Sequence, residues 1–319
     1  MKLFNSITSI TSEPITIVDI GARMGVHERW KKIMDIYPLN VIGFEPDIEE
    51  CDRLNKSAGP SESFLPYAIA SKKDKRTFYI TKSRGNNSLL KPNKEYIDRF
   101  VPRDSYNIEK TLEVKVEPLD SVMHENNIKD VDLVKIDTEG EEMEIINGAE
   151  ETIKSVFAVE LEIWFNRVYE GAPLFSDIDI RMRELGFTLF DVGRDNFVKR
   201  INGKNLGGPK GQLWSGDFLY FRDLPYLLVH EDIFWNKDKI IKGIIIAMSY
   251  GYYDFALEII EDPKSHDTFS KAEIPLIKNF IIANGKRIPS FKGRYRLSKF
   301  LERLARRISI QESDFLGNW

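Results

Sequence analysis

The stretch ITIVDIGARMGVH, residues 15–27, decides how this chain is read. It runs from a short apolar strand, Ile15–Ile20, past the acid Asp19 into a turn marked by Gly21 and Gly25. A helical stretch over Val26–Ile36 follows. Glycine at such a turn lets the backbone bend tightly and approach a ligand closely. Further short apolar runs lie at Val41–Phe44, Phe64–Ile69, Leu133–Ile136 and Val156–Ile163. They do not alternate cleanly, which suits parallel strands covered on both faces. Between them are helical patterns at Asp47–Lys56, Glu141–Ile153 and Ile178–Leu185, the last closed by Gly186. Strand–helix alternation predicts an α/β fold, doubly wound around a parallel sheet with right-handed crossovers.

After Gly186 the pattern changes. GFTLFDV (186–192) and WSGDFLYF (214–221) read as two strands, an antiparallel edge pair on an otherwise parallel sheet. The loop between them carries Arg194, Lys199, Arg200, Lys204 and Lys210 with four glycines. Mobile glycine with cations suits a lid over an anionic acceptor such as a nucleotide-linked sugar; a solvated surface hairpin reads equally well. From Pro225 onward the patterns are helical: Ile240–Ser249, Tyr252–Glu261, Ile274–Ala283 and Leu297–Ile308. The expected organisation is a domain over 1–223 and a helical C-terminal subdomain over 224–319.

The chain has 319 residues, of which 42% are hydrophobic and 30% charged, the profile of a globular protein with a sizeable core. Its 46 Lys/Arg and 50 Asp/Glu leave a formal charge of −4, which argues against a surface coated for non-specific nucleic-acid binding. One cysteine, Cys51, excludes an internal disulfide and fits a reducing compartment. One Cys and four His also argue against a structural zinc site. No apolar run reaches the ~18–20 residues of a spanning helix. The first residues, MKLFNSITSITSEP, lack the continuous apolar core of a signal peptide, so a cytoplasmic location is expected.

Two strand tips carry the chemistry. The second strand ends in GFEP, 43–46, and an acid there, Glu45, can accept both hydroxyls of a ribose. The glycine turn is one glycine short of the dinucleotide fingerprint, and no P-loop Lys-Ser/Thr is present. Asp19 two residues before the first glycine, with no phosphate-binding triplet, suits S-adenosylmethionine (SAM). The bland reading is a tight turn beside a surface acid. The second tip is DLVKIDTEGEE, 132–142. Glu141 and Glu142 fall in a first helical turn, where negative charge offsets the dipole, and read as structural. Asp137 and Glu139 sit where an open parallel sheet places its ligands. Methyl transfer to an alcohol needs an acceptor oxygen in line with the methyl and a destination for the proton, and a carboxylate serves either need. In VFAVELEIWF, 156–165, period-2 geometry puts Glu160 and Glu162 on one face. Carboxylates in a covered strand need a site or a partner, and the alternative to a site is a buried pair satisfied by Arg or backbone.

VDIGARMG, FEP, SRGNNSLL, VEPLDSV and DLVKIDTEGEEMEIINGA together resemble the FkbM-type SAM-dependent methyltransferases, over roughly Thr16–Tyr220. The resemblance implies a class I methyltransferase (Rossmann-like) fold, a seven-stranded sheet with one antiparallel strand. It implies O-methylation of sugars in cell-surface glycans or of secondary-metabolite hydroxyls. Carried across, Asp19, Gly21 and Gly25 face the methionine end of SAM, Glu45 the ribose and Ala68 the adenine. Asn87 and Ser88 lie in a loop closing over the cofactor, and Ala22, Arg23 and Pro46 complete the two turns around it. Asp137 borders both cofactor and acceptor, and Asp137 and Glu139 line the reaction site, with Glu160 and Glu162 as further catalytic candidates. Arg23 stands where the family usually has asparagine, beside the place of a cationic sulfonium.

The reading is a SAM-dependent O-methyltransferase acting on a hydroxyl of a sugar or glycan precursor in cell-surface polysaccharide biosynthesis. The alternatives are an inactive SAM-binding or scaffolding module, with Arg23 as its sign, and a methyltransferase on protein or nucleic acid. No metal is assigned, although Asp137, Glu139 and Asn166 offer oxygen ligands for Mg²⁺. His27 reads as a helix-start residue; His124, His230 and His266 have no supporting pattern. Residues 286–307 hold nine Lys/Arg against Glu302, with an apolar stripe of Leu297, Phe300, Leu301, Leu304 and Ile308. That stripe suits packing or a homo-oligomer contact, a membrane surface, or, least of the three, nucleic acid.

Overall fold

The computed structural model describes residues 10–11, 13–34, 37–128, 130–203, 211–225, 236–285 and 291–308. The N-terminal stretch 1–9, Lys204 and Lys210 of the basic loop, His230, and Lys286 and Arg287 of the basic run lie outside them, as do the side chains of Arg194, Arg306, Arg307 and Ile308.

The strands in chain order are β1 (Ile15–Ile20), β2 (Leu39–Phe44), β3 (Glu62–Leu65), β4 (Ala68–Ile69), β5 (Asp74–Thr81), β6 (Ile108–Glu117), β7 (Leu133–Ile136), β8 (Ala158–Trp164), β9 (Thr188–Val198) and β10 (Gln212–Phe221). Seven form one sheet in the order β3-β2-β1-β7-β8-β10-β9. Pairing is parallel from β3 to β8, and β10 runs antiparallel to both its neighbours. The expected edge pair is therefore one reversed strand inserted between β8 and β9. This is the class I methyltransferase arrangement.

The helices are α1 (Glu28–Met34), α2 (Ile48–Ser57), α3 (Lys94–Ile97), α4 (Leu119–Glu125), α5 (Glu142–Asn147), α6 (Phe175–Glu184), α7 (Lys237–Ser249), α8 (Tyr253–Glu261), α9 (Pro263–Thr268), α10 (Glu273–Asn284) and α11 (Arg294–Ile308). Strand alternation sorts them into two layers. Ile15 and Ile17 of β1 face α1, α2, α7, α8 and α10, whereas Val18 and Ile20 face α4, α5 and α6. The helical segment after residue 223 thus shares a core with the sheet, with Ile240, Ile244 and Phe255 in one cluster with Phe157 and Phe221. Among the described residues no helix is long and apolar enough to cross a membrane.

Three elements differ from the sequence reading. Phe64–Ile69 is split: Pro66 carries no amide hydrogen to continue a ladder, and β3 and β4 belong to different sheets. The second sheet, β4-β6-β5, escaped the sequence because β5 and β6 are largely exposed and charged and bury few apolar residues. The helix expected over Glu141–Ile153 stops at Asn147 and resumes as a 3₁₀ turn at Thr152–Ser155. It breaks at Gly148, where the chain presses against β4's end. A Cβ on Gly148 would lie 2.1 Å from the Ala70 carbonyl oxygen.

Candidate functional site

Two cavities open side by side over the carboxyl ends of β1, β2, β7 and β8. One, of about 470 Å³, is walled by Glu45, Pro46, Ala68, Phe78 and Asn87. The other, of about 890 Å³, is walled by Asp19, Lys135, Glu160, Glu162, Asp191 and Asp217. Gly21, Met24, Gly85, Asp137 and Glu139 border both, so the two form one cleft.

The first turn is built by main-chain bonds. The amides of Gly21 and Ala22 both donate to the Phe44 carbonyl, at 3.1 and 3.0 Å, which ties the tip of β1 to that of β2. Gly21 has φ +91°, and a Cβ there would lie 1.9 Å from the Asp137 carbonyl oxygen. Only glycine fits that position. Gly25, at φ +71°, completes the turn. Ala22 contributes backbone alone, because its side chain is buried in the core. His27 starts the helix as expected: its Nδ1 accepts the Arg29 amide at 3.2 Å.

Buried carboxylates with unfilled hydrogen-bonding capacity face this cleft. Asp19 is 3% exposed, and its Oδ1 accepts no hydrogen bond; the Lys135 ammonium stands 3.7 Å away. Burial pushes the Asp19 carboxyl up to about 6 against the pull of Lys135. Glu45 accepts the Asp47 amide at 2.9 Å, and burial pushes it up to about 7 against that bond and Arg23. Arg23 reaches Glu45 and Asp47, each at 4.0 Å, so its charge is directed to the β2 tip. Asn87 accepts the Thr81 amide through Oδ1, leaving its buried Nδ2 without a partner in the wall of the first cavity.

At the second tip, carboxylate oxygens of Asp137, Glu139 and Glu162 all lie within 4.8 Å of one another. Lys135 donates to Asp137 at 2.9 Å, and Ser215 donates to Glu162 at 3.0 Å. Glu139 Oε2 has no hydrogen-bond partner. Burial first, and then the neighbouring carboxylates, push Glu139 and Glu162 well above the usual range. Of the two acids read as structural, Glu141 pairs with Arg76 at 3.2 Å in the wall of the first cavity, and Glu142 accepts the Gly140 amide at 3.0 Å.

Other expectations need correction. Ser88 does not face the cleft; its hydroxyl donates to the Glu139 carbonyl at 2.8 Å and fixes that left-handed residue (φ +63°). Asn166 does not join Asp137 and Glu139 in an Mg²⁺ set. Its amide donates to Leu213 and accepts from Gln212, so it anchors β10, and Glu162 occupies the third position. Glu160 lies in the cavity wall but is engaged by Arg29 at 3.0 Å and by the Tyr250 hydroxyl, the satisfied-pair alternative. Arg200 of the basic loop donates to Gln212 and covers the Phe100 ring, away from the cleft. The sequence reading missed Lys135, Arg29 and Tyr250. Lys135 had the same signal as Glu160 and Glu162, a charged residue within a covered strand.

An acid at the tip of β2, a glycine turn after β1 and an acidic tip after β7 form the kind of cleft in which an open parallel sheet holds a nucleoside-containing ligand. The model of the methyltransferase FkbM domain matches residues 19–189, more than half of the chain, and the chain belongs to that family. It is a SAM-dependent methyltransferase. A relative, the 2-O-methyltransferase NoeI of Sinorhizobium fredii (strain NBRC 101917 / NGR234), is 23% identical over 192 residues, which cover 56% of this chain and 76% of NoeI. Solved structures with some likeness include a putative SAM-dependent methyltransferase from Listeria monocytogenes, at TM-score 0.36 and 7% identity over 69% of this chain and 97% of the other. Another is a putative RNA methyltransferase from Pyrococcus horikoshii, at TM-score 0.32 and 12% identity over 69% and 79%.

The raised carboxyls give a pH prediction. Between the ordinary values of 3.8 and 4.5 for Asp19 and Glu45 and their folded values of about 6 and 7, the folded chain holds more protons than the unfolded one. Stability of the ligand-free protein therefore falls as pH rises through that window. A carboxylate that accepts two ribose hydroxyls must be ionised, so affinity for S-adenosylhomocysteine rises with pH. From pH 6 to 8 the gain is about tenfold for a group titrating near 7. Calorimetry across that range checks it, and Glu45→Gln is expected to flatten the profile.

Proposed function

We propose that this methyltransferase acts on a hydroxyl of a sugar or glycan precursor, in the building of cell-surface polysaccharide. The observation that carries the reading is the acid-walled cavity beside the Asp137–Glu139 tip. Carboxylates bind vicinal hydroxyls through several hydrogen bonds at once, and eight of them line this space, of which Glu160 is already engaged by Arg29 and Tyr250 while Asp137, Glu139 and Glu162 stand at the acidic tip. The acids outnumber the cations Arg29, Lys31 and Lys135 in the same lining, which supports a neutral or amino sugar over a nucleotide-linked one at this position. The name of NoeI, a 2-O-methyltransferase, agrees with a hydroxyl acceptor. The single buried Cys51 supports a cytoplasmic setting.

The residues present fit SAM. Glu45, Pro46, Ala68 and Asn87 would hold its nucleoside side. Asp19 with the main chain of Gly21, Ala22 and Gly25 would hold its methionine side. SAM supplies a methyl group on a cationic sulfonium. Asp137 and Glu162 orient the acceptor hydroxyl, and Glu139 or Glu162 takes its proton, both having raised proton affinity. Lys135 balances the charge of Asp137 and Asp19 from beneath. Most of the rate rests on alignment, with proton transfer the smaller term.

A second reading is favoured by the close approach of three carboxylates: that Asp137, Glu139 and Glu162 bind Mg²⁺ and present the hydroxyl to it. Lys135 already supplies a cation at Asp137, so we expect turnover to persist in EDTA. The test is methyl transfer to a panel of neutral, amino and nucleotide-linked sugars, followed by mass of the product, with and without EDTA. Glu162→Gln is expected to lower kcat about 10²-fold with S-adenosylhomocysteine affinity unchanged. Methylation of none of the sugars would overturn the acceptor assignment, and loss of turnover in EDTA would favour the metal.

A further inference from the structure

We propose that α11 docks the protein onto the surface of an anionic lipid bilayer. The helix spans 15 residues, Arg294–Ile308. Leu297, Phe300, Leu301 and Leu304 stand at i, i+3, i+4 and i+7, so they share one face. All four point to solvent, at 46, 60, 51 and 42% exposure. The opposite face carries Arg296, Lys299 and Arg303, all exposed. In sequence, 291–308 holds seven Lys/Arg and one acid in a chain whose formal charge is −4.

An apolar stripe left in water needs a cover. Three kinds of cover meet this helix differently. A nucleic acid would answer the cations and leave the stripe wet. A second copy of the helix would answer the stripe and bring two cationic flanks together. An anionic bilayer answers both, with the stripe sunk at the headgroup–acyl boundary and the cations level with the headgroups. At 1.5 Å per residue the helix is roughly 22 Å long, short of crossing, and lies in the plane of the surface. An acceptor carried on a membrane would then meet the enzyme at that surface.

The experiment is co-sedimentation of the full chain with vesicles of phosphatidylcholine, alone or mixed with phosphatidylglycerol, at low and high salt. Binding is expected only with phosphatidylglycerol, weakening as salt rises. Neutralising Arg296 and Arg303 together as glutamine is expected to weaken it roughly 20–30-fold, at about 1 kcal/mol per cation. Phe300→Ser with Leu301→Ser is expected to abolish it. Unchanged affinity for S-adenosylhomocysteine in these variants shows that they are folded. The proposal is overturned if the folded chain ignores both kinds of vesicle, or if the variants bind as well as the wild type. It is also overturned if the stripe is instead required for a dimer seen by light scattering, or the cations for RNA binding, in a chain that does not sediment with phosphatidylglycerol.

Discussion

Gly21→Ala is expected to abolish binding of S-adenosylhomocysteine, a loss of more than 100-fold. The residue has φ +91°, which a side chain strains, and the new Cβ would fall 1.9 Å from the Asp137 carbonyl oxygen. That oxygen cannot withdraw alone. The Asp137 amide donates to the Ile20 carbonyl at 2.9 Å, and β1 pairs with β7 up to Ile20 and Ile136. Relief of the clash requires the tips of both strands to part, which moves Asp19, Asp137 and Glu139 together. A fold loss of about 2–3 kcal/mol is expected alongside, from backbone strain and the disrupted ladder. Gly59→Ala is the control, since its Cβ would meet nothing closer than 3.6 Å. Binding within a few-fold of wild type would show that the turn does not hold the cofactor.

Asp132→Ala is expected to destabilise the fold by about 3–5 kcal/mol, because it removes one partner of a buried charge network. Asp132 is 1% exposed and accepts the Thr16 amide at 2.8 Å and Lys239 Nζ at 2.6 Å, with Lys242 at 3.2 Å. Both lysines come from α7 and are themselves buried. Without Asp132 they keep Asp130, whose side chain is 49% exposed and well solvated, and Lys239 also keeps the Val131 carbonyl at 3.1 Å. The network bolts α7 to the start of β7 and β1, so its loss reads out whether the segment after residue 223 belongs to the sheet's core. Urea unfolding is the measure, with Asp130→Ala as the milder comparison. A change for Asp132→Ala no larger than the ~1 kcal/mol of a surface pair would detach the helices from that core.

The doubly wound sheet was legible because its strands are apolar on both faces and separated by helical spacing: Ile15–Ile20 and Leu133–Ile136 needed only their composition. The second sheet was not legible. Thr77–Thr81 and Val114–Glu117 bury one thin face, and the charged residues that alternate along them resemble a solvated loop. The acids at the strand tips were legible as types in the wrong place for a core. Their partners were not, since Arg29 reaching Glu160 and Ser215 reaching Glu162 span 131 and 53 residues of sequence. Nor does periodicity show which way a side chain turns in a tip loop. Ser88 and Asn87 are adjacent, yet one braces Glu139 from behind while the other faces the cleft. The long basic C-terminal helix was legible as amphipathic, but only the fold shows its apolar stripe uncovered.

The claim at the centre of this account is that the cleft over β1, β2 and β7 holds the SAM nucleoside through Glu45. The most direct measurement is calorimetric titration of S-adenosylhomocysteine into the wild-type chain at pH 8, beside Glu45→Gln. Micromolar binding by the wild type, weakened by about 1.5–3 kcal/mol in the variant through loss of a charge-assisted pair of hydrogen bonds, is the expected result. Equal binding by both proteins would contradict the assignment of Glu45, and no binding by the wild type would contradict the cofactor site itself.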